Sequence, residues 1–319
     1  MFLVLCAPLM WCWLMVDIAT TTFLPTVSEQ DLHHLQRNRN LKNYLENIQL
    51  LVEPSSAPCE ELLVLVTSSP SRFQAREAIR NTWGQHLATL FVLGVDGYTE
   101  NDLMVDNYLE AKLHGDVIIY QFRDHYQNLT LKTGLMLQWT LARCPTASFL
   151  FKTDDDVLVN PWKLKRIVEE KANEALIGYV KSSYLHRDSQ NKWHIPRWLL
   201  RDDFVPQYLS GTGYLINVKY IKRILEAAYT VPIINLEDIY FTYLVANKTL
   251  GLNLTHERNL SPYKPWLPLG CLYWGLASAH SLTPPEIMKW GSYLIKRGLD
   301  YENKKKICES VDNYSEWLL

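Results

Sequence analysis

An α/β fold with a mostly parallel central sheet and helices on both faces is what this sequence predicts, on three observations. Short apolar or β-branched runs recur at 62–67 (LLVLVT), 89–95 (TLFVLGV), 116–121 (DVIIYQ) and 148–153 (SFLFKT). Amphipathic stretches fall between them at 71–83, 100–113 and 126–143, the last with Leu131, Leu135, Trp139 and Ala142 at helical spacing. Strand alternating with helix in this way sets strands side by side and lays the helices over both faces of the sheet. Composition agrees: 48% of the 319 residues are hydrophobic and 21% charged, enough for a substantial core. Lys plus Arg number 32 against 34 Asp plus Glu, a formal charge of -2, so no basic excess draws the chain onto a phosphate backbone and no nucleic-acid partner is expected.

From the N-terminus, residues 2–16 (FLVLCAPLMWCWLMV) carry no charge. The run is slightly short for a bilayer span, but the uncharged stretch after Asp17 extends it, and neither a basic n-region nor a small-residue cleavage site stands out. Residues 1–27 therefore read as an uncleaved signal anchor holding the chain to a membrane, with a cleaved signal peptide as the alternative; either delivers the remainder to the secretory lumen. Asn-X-Ser/Thr tripeptides at Asn128, Asn247, Asn253 and Asn313 agree with that compartment. Residues 28–58, polar and ending in Glu53-Pro54-Ser55-Ser56-Ala57-Pro58, read as a stem, and 59–319 as the lumenal domain. Beyond the anchor stand Cys59, Cys144, Cys271 and Cys308, which permit three disulfide pairings. Cys59 and Cys144 each precede a strand-like run, so parallel neighbouring strands would carry them to one sheet edge; that pair is expected, with buried free thiols as the alternative.

The fourth run ends in Lys152-Thr153-Asp154-Asp155-Asp156. A buried strand running into three carboxylates needs a compensating cation or solvent at its end. If the extension persists, Asp154 and Asp156 project to one face and Asp155 to the other. Two hard oxygen ligands on one face suit Mg²⁺ or Mn²⁺. The alternative is a solvated acidic turn or helix cap leading into Pro161-Trp162. An EF-hand calcium loop fits poorly, because Val159 stands where that loop needs Gly.

Six motifs then appear in order: Arg76-Glu77-Ala78-Ile79-Arg80-Asn81-Thr82-Trp83, Phe91-Val92-Leu93-Gly94-Val95, Asn128-Leu129-Thr130-Leu131-Lys132-Thr133, Lys152 to Asp156, Tyr208-Leu209-Ser210-Gly211-Thr212-Gly213 and Glu237-Asp238-Ile239-Tyr240. Together, from about Cys59 to Trp290, they make the chain resemble the β-1,3-galactosyltransferase and β-1,3-N-acetylglucosaminyltransferase family, glycosyltransferase family 31. The resemblance implies a GT-A fold, Golgi type II topology with the catalytic domain lumenal, a UDP-sugar donor, Mn²⁺, and inverting transfer to the 3-hydroxyl of an acceptor glycan on glycoprotein or glycolipid. Carried over by position, Asp156 resembles the direct metal ligand, with Asp154 and Asp155 near the ribose. His280, nine residues after Cys271, resembles a second ligand, and Asp238 the catalytic base.

Arg76 and Arg80, four apart on one helix face, are implied to hold the donor's diphosphate or uracil, with surface ion pairs as the alternative. Lys132 is implied to orient the donor, or is an exposed helix lysine. Gly211 lies in the implied donor-binding turn, and Trp193, Trp198 and Tyr208 before it offer faces for sugar stacking or for the core. Glu237-Asp238 also suits a helix N-terminus. Two departures stand out: Thr242 occupies a position where the family usually has Gly, which suggests altered packing or a narrower acceptor cleft, and the Cys that normally follows is missing, leaving Cys308 as a substitute partner for Cys271. The expected activity is β-1,3 transfer of galactose, with N-acetylglucosamine as the alternative sugar and a non-catalytic sugar-binding or chaperone member as the rival.

Overall fold

The computed structural model describes residues 39–96 and 101–302. The expected anchor, the first part of the expected stem, Cys308 and Asn313 lie outside the described residues. Among those described, no helix is long and apolar enough to cross a membrane.

The chain runs α1 (Leu41–Leu45), β1 (Leu50–Val52), β2 (Leu62–Thr67), α2 (Phe73–Arg80), β3 (Ala88–Val95), α3 (Asn101–His114), β4 (Val117–Gln121), α4 (Leu129–Arg143), β5 (Phe149–Asp154), β6 (Leu158–Val159) and α5 (Pro161–Glu170). There follow β7 (Leu176–Tyr184), β8 (Phe204–Asn217), α6 (Val218–Ala228), a π-type helix (Ile239–Thr249), β9 (Leu254–His256), β10 (Leu260–Ser261), α7 (Gly270–Gly275), β11 (Ser278–Ala279) and α8 (Pro284–Glu302). The main sheet has the order β1-β4-β3-β2-β5-β8-β7-β9. Strands β4, β3, β2 and β5 are mutually parallel, as is β9 to β7, while β1, β8 and β7 join antiparallel. A second sheet, β10-β11-β6, is small.

All six residues of β2 are buried because both faces of the sheet are covered, which is why its strands read as unbroken apolar runs. Leu63 and Leu65 pack with Leu135, Trp139 and Ile221 from α4 and α6, whereas Leu62, Val64 and Val66 pack with Ile79, Ile167 and Ile287 from α2, α5 and α8. The two-residue period of the strand thus feeds two separate cores.

The stem expected at 28–58 is not only a linker, because its second half is part of the fold. From Asn40 the chain belongs to the packed body. Leu41 and Leu45 are buried against α4, where Gly134 leaves room for Leu45, and β1 pairs with β4. The Glu53 carboxylate accepts hydrogen bonds from Arg143 (2.5 and 2.8 Å) and Trp139 (3.1 Å). The apolar residues of 41–51 are sparse enough to be masked by polar neighbours in sequence.

Cys59 and Cys144 form a disulfide, as their places before the parallel neighbours β2 and β5 lead one to expect. Cys271 is also disulfide-bonded. The Cys59–Cys144 bond spans 85 residues, so in the chain-entropy account its removal raises the entropy of the unfolded state by the equivalent of about 4 kcal/mol. The Cys59→Ser/Cys144→Ser variant is expected to lose about that much stability in denaturant unfolding.

Candidate functional site

Successive strands β3 and β4 add on one side of β2 while β5 adds on the other, so chain order reverses between β2 and β5. In open α/β sheets the crevice beyond the carboxyl ends of such strands is where ligands bind. Here those ends are Thr67-Ser68 and Asp154-Asp155-Asp156. Thr67 is the register partner of Asp154, and its hydroxyl donates to Asp154 Oδ1 at 2.5 Å.

The strand stops at Asp154, yet the alternation of the three acids persists through the turn. Asp155 faces inward: it accepts from Ser68 Oγ at 2.6 Å and from Arg72 at 2.9 Å through Nη2 and 3.2 Å through Nε. Burial raises its pKa despite these partners. Asp154 and Asp156 face the other way and meet His280, with one donor atom from each residue lying within 4.8 Å of the others. The small sheet makes this meeting possible, since β11 pairs with β6 so that Ala279 lies opposite Leu158. His280 Nε2 stands 3.3 Å from Asp156 Oδ2. Burial disfavours the imidazolium, but the Asp156 and Asp154 carboxylates outweigh it and raise the His280 pKa; burial likewise opposes the Asp156 carboxylate, and His280 and Arg72 outweigh it to lower the Asp156 pKa.

Ser281, a non-glycine residue at φ 67°, holds a costly left-handed backbone and puts its hydroxyl 2.8 Å from His280 Nδ1. For Nε2 to offer a lone pair, the ring proton must sit on Nδ1 and be donated to Ser281 Oγ. Two carboxylates and one imidazole form a donor set that fits Mn²⁺ and related divalent cations.

Asp154 and His280 line a cavity of about 540 Å³ that Asp238 also lines. Asp238 is half-buried at the N-terminus of the π-type helix, so the capping and site readings hold together. Its Oδ1 accepts from Ile239 N–H (2.9 Å) and its Oδ2 from Gly211 N–H (3.2 Å). Burial raises its pKa and these backbone donors, with Lys152, oppose the rise. A buried ammonium braces the same corner: Lys152 Nζ donates to Asp154 Oδ1 (3.0 Å) and Gly211 O (2.7 Å) and lies 3.4 Å from Glu237 Oε2. Glu237 accepts in turn from the Tyr214 hydroxyl.

Gly211 therefore touches the expected base directly. A Cβ there would stand 3.2 Å from Asp238 Oδ2, so Gly211→Ala is expected to push the carboxylate aside by tenths of an ångström and lower kcat about tenfold, with donor affinity retained in a parallel titration.

Thr242 is fully buried and does not line the cavity. Its hydroxyl donates to the Asp238 carbonyl (2.6 Å) and accepts from Leu209 N–H (2.9 Å). The residue that departs from the usual Gly thus ties the helix start to β8 and leaves the cleft unnarrowed.

Arg76, Arg80 and Lys132 are placed behind the cavity wall. Arg76, fully buried, is spent on Glu110, Ser68, Asn107 and the carbonyls of Ser69 and Pro70. Arg80 forks onto Asp116 (2.7 and 2.8 Å) and reaches Glu110 at 2.6 Å. Lys132 is buried, with Ser68 O and Asp124 Oδ2 both at 2.6 Å. None of the three lines the cavity; Arg76 and Lys132 hold the 68–70 turn that presents Ser68 to Asp155, while Arg80 braces Glu110 and Asp116. Trp193 and Tyr208 line the cavity and Trp198 does not. Sequence reasoning missed Arg72, one turn before Arg76 on the same helix row, and Tyr126, Lys181, Lys192 and Tyr263, which also line the cavity and carry no local signal.

Known proteins resemble this chain over most of its length. A family profile described as Galactosyltransferase matches residues 74–257. Beta-1,3-galactosyltransferase 1 of Mus musculus and of Homo sapiens are each 30% identical over 266 residues, covering 78% of this chain and 79% of theirs. N-acetyllactosaminide beta-1,3-N-acetylglucosaminyltransferase 4 of Homo sapiens is 30% identical over 295 residues, covering 86% of this chain and 76% of its own.

Proposed function

The chain belongs to the galactosyltransferase family and is a glycosyltransferase, and from that premise we propose that it transfers a sugar, galactose in first place, from a UDP-sugar to the 3-hydroxyl of an acceptor glycan with inversion. The observation that carries this reading is the sharing of one cavity by Asp238 and by Asp154 and His280 of the metal-competent triad. In an inverting displacement the acceptor hydroxyl attacks the anomeric carbon from the face opposite the diphosphate, and one base is sufficient. Asp238 is that base: the N–H groups of Ile239 and Gly211 fix its two oxygens, and its raised pKa increases its appetite for the hydroxyl proton. Asp154, Asp156 and His280 would hold a divalent cation, Mn²⁺ by donor type, which when bound supplies Lewis-acid stabilisation of the leaving diphosphate. A glycosidase needs a second carboxyl group to protonate its leaving group; a diphosphate needs none.

N-acetylglucosamine is the second donor sugar, favoured by the N-acetylglucosaminyltransferase relative, which shares a longer stretch of this chain. A Golgi membrane location with the catalytic domain lumenal is part of the proposal, supported by the uncharged run at 2–16 and by the Cys59–Cys144 disulfide. The test is a screen of purified protein with UDP-galactose and UDP-N-acetylglucosamine, Mn²⁺, and β-linked GlcNAc, GalNAc or Gal acceptors. Product linked at O3 is expected. UDP binding in calorimetry with no product from any pair would instead favour the non-catalytic member.

A further inference from the structure

Resting on the transferase reading, we propose that the acceptor is an anionic glycan, one bearing a sulfate or carboxylate beside the reacting sugar, recognised by Lys181 and Lys192. The order β5-β8-β7 in the sheet sets the geometry. Asp154 ends β5, Gly211 of β8 touches Asp238, and Lys181 lies on β7, so the base stands between the triad and the lysines. Inversion requires the acceptor to approach from the side opposite the leaving diphosphate, which is the β7 side.

That side is cationic. The end of β7 and the connection that follows it bring Lys181, His186 and Lys192 into the cavity lining and no carboxylate. Neighbouring cations are already committed: Lys152 to Asp154 and Glu237, Arg72 to Asp155, Arg187 to Asp203. Lys181 and Lys192 differ, for among the described residues neither has a carboxylate within ion-pair distance. Their contacts are aromatic faces: Lys192 Nζ stands 4.7 Å from the Trp193 ring centre and 5.8 Å from that of Tyr126, and Lys181 Nζ 5.9 Å from that of Tyr263. Lys181 feels the Asp238 carboxylate across the cavity, but neither ammonium is tied up in a close ion pair, and two such groups held over rings that suit sugar stacking match a saccharide with an apolar face and a negative substituent.

The test is equilibrium binding, in the presence of UDP and Mn²⁺, of three probes: N-acetyllactosamine, its 6-sulfated form and a glucuronylated form. Wild-type protein is expected to bind at least one charged probe about 5–10-fold tighter than the neutral one at low salt. That ratio should shrink at about 0.3 M salt and fall toward one in both Lys192→Gln and Lys181→Gln. A gain confined to the sulfated probe identifies sulfate as the recognised anion, and one confined to the glucuronylated probe a carboxylate. Equal wild-type affinity for all three, or an advantage that both variants keep, overturns the proposal. Tight binding of a charged probe without sugar transfer to any acceptor leaves this inference standing and counts against the transferase reading instead.

Discussion

Asp238→Asn is expected to lower kcat by about 10²–10⁴-fold while UDP affinity stays close to wild type. The amide keeps the shape of the side chain and its place at the helix start but cannot take the hydroxyl proton. The same assignment fixes a pH dependence. Burial raises the Asp238 pKa above its ordinary value, so the acid limb of the kcat profile should fall at a higher pH than an exposed aspartate would give. Activity is full above that pKa and lost as pH drops through it, because the protonated carboxyl has no lone pair to offer. Full activity in the Asn variant would remove Asp238 from the reaction.

Asp156→Ala is expected to weaken Mn²⁺ binding by about 10²-fold or more, since removal of a direct oxygen ligand exceeds the 10–100-fold typical of an outer partner. Electron paramagnetic resonance of Mn²⁺ titrated into protein with UDP reads this without any turnover. His280→Ala should weaken binding in the same direction and Ser281→Ala less, because Ser281 only orients the ring. Unchanged Mn²⁺ affinity in Asp156→Ala would separate the triad from metal binding. The fold itself should survive each change, for Asp156 and His280 are partly exposed and lie outside the main apolar cores.

The parallel half of the sheet was legible because each of its strands is buried on both faces and so appears as an apolar run; the expected strands at 62–67, 89–95, 116–121 and 148–153 agree with the observed ones to within one residue at either end. Asp154 and Asp156 were legible for a related reason, since carboxylates at the end of a buried strand call for a cation or solvent, whereas Asp155, on the opposite face, is paired with Ser68 and Arg72. Arg76 and Arg80 show where local pattern stops. Their spacing located them correctly on one helix face, but what they face, Glu110 on α3 and Asp116 before β4, is set by packing between elements some 30 residues apart, and no local spacing carries that. Lys132 is the same case, with Asp124 as its partner. Lys152 carries a local signal as well: a single lysine inside the run Phe149 to Thr153 must be buried, and a buried ammonium needs acids around it. The cavity lysines were not legible, because an unpaired lysine and a solvated one look alike until the fold puts one of them into a cleft.

The most direct test of one base acting opposite a departing diphosphate needs no knowledge of the acceptor. Given UDP-galactose and Mn²⁺ alone, the enzyme should slowly use water as acceptor, and proton NMR can record which anomer of galactose is released before mutarotation. Free β-galactose as the first-formed product is the result predicted for a single displacement assisted by Asp238. First-formed α-galactose, or release at the same rate in Asp238→Asn, would contradict it.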